Sequence, residues 1–113
     1  MKSITSAITS VGGYVPETVL TNFDLEKMVD TNNEWIVSRT GIKERRILKD
    51  KSLGTSFMAI NAANKLLQEK DVDPTSIDLV IVSTATPDMP VSSTASFVAT
   101  RIGASNAFGY DIQ

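Results

Sequence analysis

Residues Ile77–Thr84 read IDLVIVST and contain an unbroken aliphatic run from Leu79 to Val82. A strand with one wet face would alternate apolar and polar residues. Continuous aliphatic character predicts instead a strand buried on both faces, central in a parallel sheet. Parallel strands need long crossover connections, and those are usually helices. This one stretch therefore points the chain towards an α/β fold.

The flanking residues agree. Over Ser52–Glu69, Leu53, Phe57, Ile60, Asn64 and Leu67 form one helical stripe, widened by Ala59, Ala63 and Leu66. So broad a face built partly of alanine suits a helix lying close on a sheet. Asp71–Ser76 (DVDPTS) breaks it, since Pro74 cannot continue a helix. After the strand, Thr86-Pro87-Asp88 opens a loop at the carboxyl end, where open α/β sheets place ligands. Asp88 has a catalytic reading, but an aspartate beside proline more simply forms an Asx turn. Ser92–Ile102 reads as a helix with Ala95, Val98, Ala99 and Ile102 on one side, stopped by Gly103. Ala107–Ile112 reads as a further strand.

Nearer the start, Ser3–Val11 is β-favouring and ends at Gly12-Gly13 and Pro16, a turn rather than a phosphate loop. Asn22–Val29 reads as a short helix behind Thr21 and Asp24, and Ile42–Leu48 as a short exposed strand whose charges form a solvated face. Helices alternating with strands predict right-handed crossovers and a layered α/β sheet. A buried-type strand as the final element normally feeds another loop and helix. The chain therefore reads as half of a fold, with apolar surface uncovered and poor solubility when expressed alone.

Composition excludes several classes. The 113 residues hold no cysteine and no histidine, so they carry no disulfide framework, no Cys/His zinc site and no thiol or imidazole catalyst. A net charge of -2 offers no general attraction for nucleic acid. No aliphatic run approaches the length of a membrane span. The first residues do not resemble a signal peptide, and the expected setting is soluble and cytoplasmic. P-loop, GxGxxG, HExxH and CxxC motifs are absent.

One stretch carries a specific chemistry: Asp30–Arg46, DTNNEWIVSRTGIKERR. Thr31 with Glu34 has the spacing of a capping box, and Gly41 suits the left-handed position after a helix end. Asn32–Thr40 is thus predicted to be a two-turn helix on which Trp35 and Arg39, four apart, share a face. The pair has two readings. It is either a tryptophan packed beneath an arginine, or an aromatic plate and a cation arranged for a purine and its phosphate.

The segments LEKMVDT (Leu25–Thr31), EWIV (Glu34–Val37), RTGI (Arg39–Ile42) and Glu44-Arg45 resemble the N-terminal region of β-ketoacyl-acyl-carrier-protein synthase III, a thiolase-like condensing enzyme. VIVSTATPD and the closing AFGYDIQ extend the resemblance over nearly the whole chain. It implies a layered α-β-α fold of which residues 1–113 are the N-terminal half, ending just before the family's catalytic cysteine. It implies that Trp35 and Arg39 hold the adenine of coenzyme A, with Thr31 beside them. Acyl-CoA would be a substrate rather than a cofactor, malonyl-acyl-carrier protein the second substrate, and the assembly a homodimer. The family's catalytic Cys, His and Asn have no counterpart in this chain, so these residues alone are expected to be inactive. A non-catalytic CoA-binding or structural fragment is the alternative. Val91 stands where relatives carry a phenylalanine that crosses the dimer interface to line the partner's acyl pocket. Either that pocket is enlarged here, or the loop is rebuilt and Val91 simply packs.

Overall fold

The computed structural model describes residues 4–113, which divide into two compact units. The first, Val15–Leu53, is built on an antiparallel pair, β1 (Thr18–Thr21) and β2 (Glu44–Ile47). Between them lie α1 (Asn22–Glu26) and α2 (Asn33–Thr40). The strand β1 is absent from the sequence reading; TVLT is only four residues long and depends on β2 to exist. Thr21 ends it and at once caps α1. Its hydroxyl accepts the Asp24 N–H, and the Asp24 carboxylate accepts the Thr21 N–H. That carboxyl is held below the ordinary aspartate range, first by the Thr21 hydroxyl. The helix stops at Glu26 instead of running to Val29, and Met28 and Val29 lie exposed in the following turn.

The second unit comprises Gly54–Gln113 and the segment that ends at Tyr14. Its helix α3 (Thr55–Lys70) starts three residues later than the apolar stripe suggested. A 3-10 turn at Pro74–Ser76 leads into β3 (Leu79–Ser83). Helix α4 (Thr94–Ile102) then returns the chain to β4 (Phe108–Ile112), which pairs parallel to β3 from Leu79↔Phe108 to Ser83↔Ile112. The α/β expectation is met in this strand–helix–strand unit. Leu67, Val98, Ala99, Ile102 and Ala104 form its core, with Val80 and Val82 packed against them. Gly109 permits the close crossing of α4 over β4: a Cβ there would lie 2.6 Å from the Ser96 backbone nitrogen.

Three expectations about the strands and their loops are corrected. β3 is covered on one face only, since Leu79 and Ile81 are 49% and 53% exposed and β4 is its sole partner among the described residues. Ser3 lies outside the described residues, and the remainder of the predicted first strand forms no ladder. Ile4, Ile8 and Val11 are exposed there, because β propensity without a partner strand makes no sheet. Asp88 makes no Asx turn but accepts the Ser56 N–H at 2.9 Å and the Ser56 hydroxyl proton, capping α3 from a distant loop. No helix among the described residues is long and apolar enough to cross a membrane.

Candidate functional site

In α2 the cap falls one residue later than the sequence suggested. Asn32, not Thr31, is the cap residue: its backbone is extended (φ -147°, ψ 160°), and its side chain accepts the Trp35 N–H at 2.8 Å. The Thr31–Glu34 capping box therefore does not form. Glu34 stays in the first turn, where a carboxylate favours the positive end of the helix. At the other end, Gly41 takes the left-handed conformation (φ 70°), and its N–H donates to the Val37 carbonyl. Residues with a Cβ adopt that conformation less readily. Both ends of α2 are thus specified within a few residues of chain.

Ile36 is the one buried residue of the helix and sets which side faces inward. Trp35, beside it, remains 54% exposed. The Arg39 guanidinium carbon lies 5.0 Å from the centre of the Trp35 ring, one helical turn away. Arg39 makes no salt bridge among the described residues, so its charge is held only by the ring and the C-terminal end of the helix dipole. The result is an exposed aromatic surface with a cation above it. Such a surface suits a flat ring carrying negative charge nearby and offers neither a nucleophile nor a general base.

The predicted residues separate into groups. Trp35 and Arg39 are brought together. Thr31 is half-buried just ahead of the cap. Val91 belongs to the other unit, on the loop between β3 and α4, and is 97% exposed. It borders a cavity of about 150 Å³ shared with Pro87, Met89, Asp111 and Gln113. Carboxylates pin this loop on either side. Asp88 holds Ser56, and the Asp111 carboxylate accepts the Ala95 N–H at 2.8 Å at the start of α4. The Ser93 hydroxyl, more than the backbone N–H groups of Ala95 and Thr94, keeps the Asp111 carboxyl below its usual range. Between these pins a cleft of about 520 Å³ is lined by Ser56, Met89, Ser92, Phe97 and Thr100.

Sequence reasoning missed the group that supports α2. Asn22 is completely buried, and the half-buried Arg45 donates to it at 2.9 Å. The expected solvated face of β2 therefore turns one of its cations inward. The local hint is strand alternation, which puts Arg45 on the opposite side of the chain from Glu44 and Arg46.

No protein-family model matches the chain. Individual proteins do. It is 53% identical over its full length to the β-ketoacyl-[acyl-carrier-protein] synthase III of Phocaeicola vulgatus, covering 34% of that protein. It is 55% identical to the enzyme of the same name from Porphyromonas gingivalis, again covering all of this chain and 34% of the relative. Among solved structures, the Thermus thermophilus synthase III superposes with a TM-score of 0.85 at 46% identity, covering 94% of this chain and 32% of that one. MvaS in complex with 3-hydroxy-3-methylglutaryl coenzyme A gives 0.76 at 25% identity, covering 91% of this chain and 24% of that one. By sequence along its whole length and by its thiolase-like α/β backbone, the chain belongs to the β-ketoacyl-[acyl-carrier-protein] synthase III family, and it spans about a third of the length of these curated relatives.

Proposed function

We propose that Trp35 and Arg39 form the adenine-end clamp for the coenzyme A thioester used by a 3-oxoacyl-[acyl-carrier-protein] synthase III. The observation that carries this reading is the guanidinium poised 5.0 Å from a half-exposed indole. A purine stacked on Trp35 contributes roughly 1–3 kcal/mol. A charge-assisted phosphate contact from Arg39 adds about 1.5–3 kcal/mol. In this reading Thr31 flanks the adenine beside Trp35 and Arg39. The complex of MvaS with a coenzyme A ester supports the ligand class.

The whole protein then catalyses a decarboxylative Claisen condensation. An acyl group passes from acyl-CoA to an enzyme nucleophile, releasing coenzyme A. Malonyl-acyl-carrier protein loses carbon dioxide, and the resulting carbanion attacks the acyl thioester to give the 3-oxoacyl-carrier protein. The 113 residues hold no cysteine or histidine, so the catalytic cysteine and histidine that the family resemblance implies are not among them. The role left to this part is binding and orientation. The protein acts as a cytoplasmic homodimer at the start of fatty acid synthesis, and Val91 lines the acyl pocket of its partner.

The alternative reading is a coenzyme A-binding protein without turnover. Calorimetric titration of coenzyme A into the intact protein tests the clamp. Trp35→Ala is expected to weaken binding roughly 5- to 160-fold, since one lost stacking contact contributes about 1–3 kcal/mol; unchanged affinity would remove Trp35 from the site. Release of carbon dioxide from malonyl-carrier protein, dependent on acyl-CoA, separates the synthase from the silent binder.

A further inference from the structure

We propose that Asn22 and Arg45 are positioning residues that fix the orientation of α2 and so the geometry of its Trp35/Arg39 face. The inference rests on the clamp reading above and adds to it residues that need not touch ligand at all.

Helix α2 has only eight residues, fewer than an isolated helix needs to be stable in water. Its placement must come from tethers. Ile36 supplies one by burial, and the Glu26 carboxylate supplies another by accepting the Asn33 N–H. The third is the Asn22 amide, which reaches both ends of the segment. Its Nδ2 donates to the side-chain oxygen of Asn33, the first helical residue, at 3.0 Å. The same nitrogen donates to the Ile42 carbonyl, just past the Gly41 cap, at 2.8 Å. Its Oδ1 accepts from Arg45 Nη2 at 2.9 Å, and Arg45 Nη1 donates to the Leu20 carbonyl at 3.3 Å. The Asn22 main-chain N–H donates to the Lys43 carbonyl at 3.1 Å.

These partners dictate both the residue and its orientation. Arg45 can only donate and the Ile42 carbonyl can only accept, so the amide has one satisfied orientation. Aspartate keeps the shape and the Arg45 partner but cannot donate, leaving the Ile42 carbonyl and the Asn33 oxygen facing a carboxylate. Leucine keeps the volume and satisfies nothing. A buried amide with both donors used and its oxygen engaged is strongly directional, whereas the contacts of Ile36 are not. Successive helical residues lie about 100° apart around the axis. A small roll of α2 would therefore carry Trp35 and Arg39 away from their common aim while leaving their mutual contact intact.

The experiment titrates coenzyme A into the intact protein and into its Asn22→Asp, Asn33→Ala and Trp35→Ala variants. Trp35 emission and its quenching by acrylamide are followed in parallel, with Trp35→Phe as the blank. Asn22→Asp is expected to weaken binding about tenfold or more, the scale set by unsatisfied buried polar groups, and to shift ligand-free Trp35 emission. Asn33→Ala should weaken it in the same direction. The Asn22→Asp/Asn33→Ala double variant should be no weaker than Asn22→Asp, because both changes cut one tether. Wild-type affinity in Asn22→Asp, with Trp35→Ala weakened, overturns the proposal and leaves the clamp standing. Unchanged affinity in Trp35→Ala defeats the clamp instead. Trp35 emission in Asn22→Asp then decides alone: a shift supports Asn22 as the support of α2, and no shift overturns it. If Asn22→Asp does not fold, Arg45→Lys carries the same test, keeping the charge but not the forked contacts to Asn22 and Leu20.

Discussion

Asp111 is the residue whose protonation most directly reaches the fold. Its carboxylate sits at the first turn of α4, accepting the Ala95 N–H, and the nearby Ser93 hydroxyl favours the charged form further. The folded carboxyl is therefore more acidic than an ordinary aspartate at 3.8. Its contribution to stability is complete above that value and is lost as pH falls through the lower, folded value. In thermal melts of the intact protein, Asp111→Asn is expected to melt below wild type at neutral pH. The gap should narrow only under pH about 4 as the wild-type carboxyl is protonated. A gap independent of pH would mean that the charge of Asp111 is irrelevant. Neither this role nor that of Asn22 was legible in the sequence. Each depends on partners far along the chain: Asp111 on Ser93 and Ala95, Asn22 on Arg45.

Local rules served the elements well wherever both ends carried their own punctuation. Gly41 and Gly103 end α2 and α4 where the sequence places them, both with positive φ. The α2 cap moved by one residue because Thr31, Asn32 and Asn33 are all competent cap residues, and only the entry path of the chain selects among them. Strands were less legible. TVLT carries too few residues to announce itself, while Ser3–Val11 has the composition of a strand and no partner among the described residues. The glycine of β4 shows where element packing is least forgiving. Gly109→Ala would place its methyl carbon 2.6 Å from the Ser96 nitrogen and 2.7 Å from its Cα, both backbone atoms that cannot step aside. Denaturant unfolding should register a loss of about 1–3 kcal/mol, as over-packing typically costs. A neutral outcome would mean that α4 lifts freely from the sheet.

At the scale of the molecule, Val91 and the open sheet face share a character. Leu79, Ile81, Phe108, Tyr110 and Ile112 are exposed along β3 and β4, and Val91 projects from the loop beyond them. If Val91 lines the acyl pocket of a partner subunit, its small side chain leaves room for primers longer than acetyl. Val91→Phe should lower kcat/KM for such acyl-CoA substrates relative to acetyl-CoA by about tenfold or more, the scale of a pocket that loses room for one or two methylenes. An unchanged ratio would mean that Val91 merely packs.

Residue patterns alone suffice for the α/β class, the capped helix that brings Trp35 and Arg39 together, and the family. The first two rest on signals contained within a few turns of chain, an aliphatic run, a four-residue spacing and a glycine after a helix; the family rests on motifs spread over nearly the whole chain. Only the tertiary fold settles that Asp88 caps α3, that Arg45 turns inward to a buried Asn22, and that β3 is covered on only one face. The physical reason is common to all three. Hydrogen bonds and burial between residues twenty or more positions apart depend on which segments fold against each other, and no local pattern encodes that choice.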